Sequence, residues 1–245
     1  MNINGDVMRK LLAALSLCLV ATDLLSQGIS SKAGIAHVAN SDATASTASG
    51  SSITLLMGTS LAAGQSIVLC VFSGDRRDVS FTVTDNGPVA GSNSYSTDRS
   101  QNLATKGGTI AVLHADNISI AGHNPATLTI TPSGTGSIFA VASAYSGLTS
   151  SSFDKTNSAN SRSNLPDSGS SGFLSQADEL VFGCMATAAR SGGTISAGSG
   201  FTLRKTAGRQ RIASEDQVVN SKAGINATFS QAVSREWATI VTTFK

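Results

Sequence analysis

The most constraining feature of the chain is a series of apolar runs too short to be globular helices, each closed by a turn signal. Ser66–Phe72, Thr109–Ala115, Ser137–Tyr145, Glu179–Ala186 and Trp237–Phe244 are the clearest. Runs of this length bounded by Gly, Asn, Pro and Ser read as strands. In Ser137–Tyr145 the residues Phe139, Val141 and Tyr145 point one way and Ile138, Ala140, Ala142 and Ala144 the other. Asp85-Asn86-Gly87-Pro88 is a strong turn, because Asn-Gly supplies positive φ and Pro ends a ladder. Further strands are expected at Ala33–Ala39, Ser52–Met57, Ser80–Thr84, Thr127–Thr131, Phe201–Thr206, Ile212–Asn220 and Ile225–Ser230. Ser, Thr, Gly and Ala fill 119 of the 245 positions. Three of those four cost helix propensity relative to Ala. Twelve short strands then predict an all-β fold, an antiparallel two-sheet β-sandwich of jelly-roll or Ig-like kind over residues 31–245. The polar stretches Asn40–Ser51, Val89–Gly108 and Thr149–Gly172 read as loops. No period of 20–50 residues recurs, so a solenoid or propeller is not expected.

Residues 1–30 stand apart. Met8-Arg9-Lys10 precedes the apolar run Leu11–Ala21, and Met8, Leu11, Leu12, Leu15 and Leu19 follow helical spacing. The segment reads as an apolar helix that packs against a neighbouring subunit. A cleaved secretory signal ending near Ser26-Gln27-Gly28 is the alternative. A membrane span is not expected, because the run is short and Asp23 interrupts its end.

Chemistry-bearing patterns are sparse. A net charge of +2 excludes a strongly basic nucleic-acid binder. There is no Gly-x-Ser-x-Gly elbow, Walker loop, His-Glu-x-x-His or Cys-x-x-Cys, so neither an enzyme nor a cofactor is expected. His114-x-Asp116 with His123 is the nearest approach to a metal set. Asp116 and Asn117 nevertheless read as turn formers. Asp75, Asp78, Asp85 and Asn86 could gather oxygens for Ca²⁺, but Arg76 and Arg77 lie between the first two. Solvated loop charges fit better. Glu179 reads as a strand-entry residue. Trp237 and Tyr145 sit in apolar strand patterns and read as core. Cys70 and Cys184 fall in core strands and read as two buried thiols, with a bridge between them as the alternative. Arg204, Lys205, Arg209 and Arg211 put four positive charges in eight residues. They read as a charged hairpin that protects a sheet edge, or as a contact with an acidic subunit or polysaccharide.

From about residue 33 onward the chain resembles a β-sandwich module of tailed-phage structural proteins and bacterial surface proteins. The matching pieces are Ala63-Gly64-Gln65-Ser66-Ile67-Val68-Leu69, Phe81-Thr82-Val83-Thr84-Asp85-Asn86-Gly87 and Ala142-Ser143-Ala144-Tyr145-Ser146-Gly147-Leu148. They continue with Ala177-Asp178-Glu179-Leu180-Val181-Phe182-Gly183, Gly198-Ser199-Gly200-Phe201 and the ending Trp237–Lys245. The resemblance implies a sandwich exposed on a virion or cell surface and brings no catalytic residues. The expected role is a structural subunit of an assembled phage particle: a capsid decoration, a head fibre or a tail-associated protein. A secreted adhesin or carbohydrate-binding module is the alternative. Partners would be other copies, neighbouring subunits and a cell-surface polysaccharide, with no nucleic acid. Leu11, Leu12, Leu15 and Leu19, with the basic cluster, are the candidate assembly contacts.

Overall fold

A computed structural model describes residues 34–87, 93–119, 126–188 and 193–245. The described residues form sixteen strands and no helix. The first nine are β1 (Ala36–His37), β2 (Ala43–Gly50), β3 (Ile53–Leu56), β4 (Ser66–Ser73), β5 (Phe81–Asp85), β6 (Ser96–Asn102), β7 (Thr109–Ala115), β8 (Thr127–Pro132) and β9 (Gly136–Ser146). The remaining seven are β10 (Phe153–Ser163), β11 (Glu179–Thr187), β12 (Ile195–Ala197), β13 (Thr202–Ala207), β14 (Ile212–Val219), β15 (Phe229–Gln231) and β16 (Arg235–Phe244). All pairings are antiparallel.

The expected all-β sandwich is present, but it has four sheets rather than two. The first inner sheet runs β9-β4-β7-β6, with β1 and β2 both on the free side of β9. The second runs β10-β16-β11-β14-β13. A small outer sheet covers each: β3-β8-β5 over the first and β12-β15 over the second. Three cores result. Ile67, Leu69, Leu113 and Ile138 pack against Leu55, Val83, Leu128 and Ile130 under the first outer sheet. Val68, Phe72, Ile110 and Tyr145 meet Leu180, Phe182, Ile240 and Phe244 between the inner sheets. Val181, Met185, Trp237 and Val241 pack against Ile195 and Phe229 beneath the second outer sheet. Central strands covered on both faces are predominantly apolar; β4, β7 and β11 are buried end to end, with their polar residues mostly at the strand ends.

The two halves share one plan. Match β2, β9, β4, β7 and β6 with β10, β16, β11, β14 and β13, and the inner sheets have the same strand order. Likewise β8-β5 matches β15-β12. Residues 164–168 run along the free edge of β15, where β3 lies against β8: Phe229 and Gln231 donate backbone N–H to the carbonyls of Pro166 and Asn164. Registers agree too. Cys70 is opposite Val112 and Val141, and Cys184 is opposite Ser214 and Ile240. The bulge between Thr97 and Arg99 recurs between Leu203 and Lys205. Even the strand entries match: the side chains of Gln65 and Glu179 accept from the backbone N–H three residues upstream. Gly64 and Asp178, just before them, both have positive φ. The described residues form a duplicated unit folded about an internal two-fold.

Three stretches read as loops contain strands instead: β2, β6 and β10, together with the short unexpected β12. The first three are polar because they are edge strands with a wet face. Two of those edges close on each other. Arg99 Nε donates to Ser158 Oγ at 2.9 Å, Ser158 Oγ donates to Gln101 at 2.9 Å, and Asn160 donates to the Asn102 carbonyl at 2.8 Å. Leu11, Leu12, Leu15 and Leu19 lie outside the described residues.

Candidate functional site

The inner core is held by covalent chemistry. Cys70 on β4 and Cys184 on β11 occupy matching positions on facing central strands, with Cα atoms 5.5 Å apart, and form a disulfide. The expectation of two free buried thiols is therefore corrected. Burial was legible, but the pairing follows from the two-fold, which places the two cysteines opposite each other at bridging distance.

Beside the axis, the slots that match in the two halves each hold a basic side chain against a carboxylate, with the two types on opposite strands. In the first half the β6 bulge presents Asp98 to His114 on β7, Oδ1 to Nδ1 at 2.7 Å. In the second the equivalent bulge presents Arg204 to Asp216 through two contacts of 2.7 Å. The aromatic contacts are reciprocal. Tyr145 of the first half donates its hydroxyl to Asp216 at 2.6 Å, and Phe244 of the second packs tilted against the His114 ring with centroids 5.2 Å apart.

His114 has a second carboxylate, Asp116 Oδ2 at 3.4 Å from Nε2. Asp116 in turn accepts from Ser152 N–H at 2.8 Å, Ser152 Oγ at 2.7 Å and Ser66 Oγ at 3.0 Å. Burial alone would lower the imidazole pKa, but its two carboxylate partners outweigh burial and raise it to about 9. Burial raises Asp98 despite the neighbouring imidazolium. It would also raise Asp116, but there the hydrogen bonds win and the carboxyl is lowered. The cluster borders a cavity of about 490 Å³ that also meets Ser94, Ser96 and Phe153. An imidazolium cannot accept a proton, and both serine hydroxyls donate to Asp116 rather than to histidine. Catalysis by a base-activated nucleophile requires the opposite arrangement. Among the described residues no group of three or more His, Cys, Asp or Glu could hold a metal. His123 lies outside them. Asp98 had no signal in the sequence, since it stands sixteen positions from His114 on another strand.

The other candidates separate. Asp85 closes its own loop, accepting from Gly87, Asn93 and Tyr95. Asp78 accepts from Asn102 and Asp75 from Ser137 N–H, so the proposed Ca²⁺ oxygens serve different loops. Glu179 is a buried strand-entry residue, and burial raises its carboxyl. Trp237 and Tyr145 are buried as expected. The basic cluster divides: Arg204 is committed to Asp216, whereas Lys205 and Arg209 are exposed. Arg211 is buried, its guanidinium 4.7 Å from the Phe139 ring and 5.4 Å from that of Phe72.

Arg211 is the floor of a charged groove at the end of the molecule where the halves meet. One cavity of about 550 Å³ is lined by Asp75, Lys106, Arg162, Arg211, Arg235 and Glu236. An adjoining one of about 670 Å³ shares Asp75 and Arg211 and adds Arg209, Ser46, Thr47 and Ser137. Glu236 ties the halves together, accepting from Thr105 N–H, Thr105 Oγ1 at 3.0 Å and Lys106 N–H at 2.8 Å. Burial would raise its carboxyl, but these bonds hold it below the usual range, so it stays ionised.

No family model matches the chain, and neither the curated proteins nor the solved structures contain a match to it.

Proposed function

We propose that the chain is a non-enzymatic structural protein carried on the outside of an assembled particle, a phage virion component such as a capsid decoration, head-fibre or tail-associated subunit. The observation that carries this reading is the Cys70–Cys184 bridge through the inner core. Such bonds persist on secreted, cell-surface and virion-surface proteins and are rare in reducing compartments. The nested pairing supports the same reading: β2 with β9, β3 with β8 and β4 with β7 is the wrapped order of a jelly roll, a fold used for capsid and lectin domains. The His114 cluster supports a structural rather than catalytic role, since its imidazole is held protonated.

A second reading is favoured by the charged groove: a secreted bacterial adhesin or carbohydrate-binding module. The deciding experiment is fractionation of the producing culture with intact-mass analysis. Recovery in purified particles with the disulfide intact supports the first reading, and recovery in medium or cell wall supports the second. A reduced protein confined to the cytosol overturns both.

A further inference from the structure

We propose that the groove over Arg211 binds an acidic polysaccharide, one whose sugar units carry carboxylate groups. This rests on the reading of the protein as a surface component and specifies what that surface touches.

Five cations line the two adjoining cavities: Lys106, Arg162, Arg209, Arg211 and Arg235. Only Asp75 and Glu236 oppose them. Glu236 has its oxygens taken up by the Thr105–Lys106 backbone, and Asp75 Oδ2 accepts from Ser137 N–H at 2.7 Å. Arg162 and Arg235 form no ion pair with any described residue, and Lys106 has only a charge attraction to Glu236 without a direct ion pair. Unneutralised cations around a concavity focus potential and draw in anions. Guanidinium forks suit carboxylate oxygens, which they can grip through two parallel bonds.

The shape selects an extended ligand. Each cavity alone is large enough for a drug-sized molecule, and the two share Asp75 and Arg211, so a lone small anion would leave most of the groove empty. The hydroxyls of Ser46, Thr47 and Ser137 in the second cavity offer partners for sugar hydroxyls. Single-stranded nucleic acid, the other polyanion, needs aromatic faces for base stacking. The one aromatic lining residue, Phe139, is buried and has the Arg211 guanidinium over its ring. Lys106 and Asp75 come from the first half and Arg162, Arg209, Arg211 and Arg235 from the second, so the groove exists only in the joined pair.

The test is titration of the folded full chain with polygalacturonate, neutral dextran and a single-stranded oligonucleotide. Polygalacturonate should bind and dextran should not. Arg162→Glu with Arg235→Glu should weaken binding at least about tenfold, since each lost charge-assisted contact alone is worth about that much. Lys205→Glu, an exposed charge outside the groove, should leave it unchanged. Arg162→Gln with Arg235→Gln, checked by near-UV circular dichroism, separates lost binding from lost folding. Absent polygalacturonate binding, equal loss in Lys205→Glu, or preference for the oligonucleotide overturns the proposal. The fractionation outcome is independent. A particle protein that ignores polygalacturonate loses only the groove, and a reduced cytosolic protein that binds it loses the surface reading.

Discussion

The two halves share five inner strands in the same order, with β1 an extra strand in the first, yet matching positions carry different chemistry. The β6 bulge offers Asp98 to His114, whereas the β13 bulge offers Arg204 to Asp216. Leu113, in the core under the first outer sheet, corresponds to Glu215, which is buried beneath the second and accepts from Gly198 N–H at 2.8 Å. The plan is therefore set by which faces are covered and where the strands bulge, not by particular polar residues. A slot beside the axis needs two opposite charges and accepts either polarity. What the polarity changes is the response to pH: the His114 imidazole titrates in the accessible range and the Arg204 guanidinium does not.

The largest effect should come from the bond on the axis. Cys70 and Cys184 are 114 positions apart, so their bridge restricts a large loop of the unfolded chain. Loss of such a bridge removes about 4–5 kcal/mol on the chain-entropy model. Cys70→Ala with Cys184→Ala, or reduction of the native protein, should lower the melting temperature sharply. An unchanged melt would mean that the halves hold together by packing alone.

Next is Glu215. Burial is the main cause that raises its carboxyl, to about 8, although the backbone N–H groups of Gly198 and Thr228 pull the other way. A folded pKa above the unfolded value means stability fully present below the unfolded pKa and lost as pH rises through the folded one. The wild type should thus weaken between about pH 4.5 and 8, by on the order of 4 kcal/mol in all. Glu215→Gln keeps an acceptor for Gly198 and should flatten that part of the profile. A variant that weakens in parallel with the wild type would show that Glu215 is not the titrating group. Space allows little else there: a Cβ on Gly183 would sit 2.7 Å from Glu215 Cγ and 2.9 Å from the Ala227 Cβ.

How far the sequence reached follows from burial. The strands β4, β7, β9, β11 and β16 lie between two layers, so hydrophobicity alone marks them. The edge strand β10, with the sequence FDKTNSANSRS, uses its polar side chains to close against β6, and no alternation survives. The duplication was invisible for a related reason. Ala63–Leu69 and Ala177–Gly183 each precede a matching cysteine, but beyond that Ala and Cys they share only the covered-face pattern, the positive φ at Gly64 and Asp178 and the acceptor side chains of Gln65 and Glu179. Side-chain identity had nothing further to preserve. At the site, His114 and Asp116 are two apart and were legible. Asp98 was not, and neither were Lys106, Arg162 and Arg235, each isolated in sequence and gathered only where two loops and two strands meet.

In the first half the titrating group is His114. Its pKa of about 9 lies above the ordinary 6.5, so the ion pairs contribute stability fully present below pH 6.5 and lost as pH rises through 9. The shift corresponds to about 3 kcal/mol for this buried group. His114→Gln should remove the slope between pH 8 and 9 and reduce that between pH 6.5 and 8, where Glu215 still titrates. Persistence of the upper slope in that variant would assign it elsewhere.

The smallest effect, and the one that most directly tests the matched slots, belongs to Arg204. Its guanidinium grips Asp216 through two contacts of 2.7 Å, and Asp216 also accepts from Tyr145. Removing one partner of a buried pair leaves the other charge uncompensated. The Arg204 side chain keeps 21% of its exposure, however, and Tyr145 still donates, so the loss should be about 2 kcal/mol. Arg204→Gln should therefore lower the urea midpoint by the same amount at pH 6 and pH 9.5, because Arg stays charged throughout. Arg204→His should convert the second slot into a copy of the first: near wild-type stability at pH 6 and an added loss as pH rises. An Arg204→His protein whose pH profile matches that of Arg204→Gln would show that the slots are not interchangeable, and that the shared bulge geometry does not suffice to hold an imidazolium beside a carboxylate.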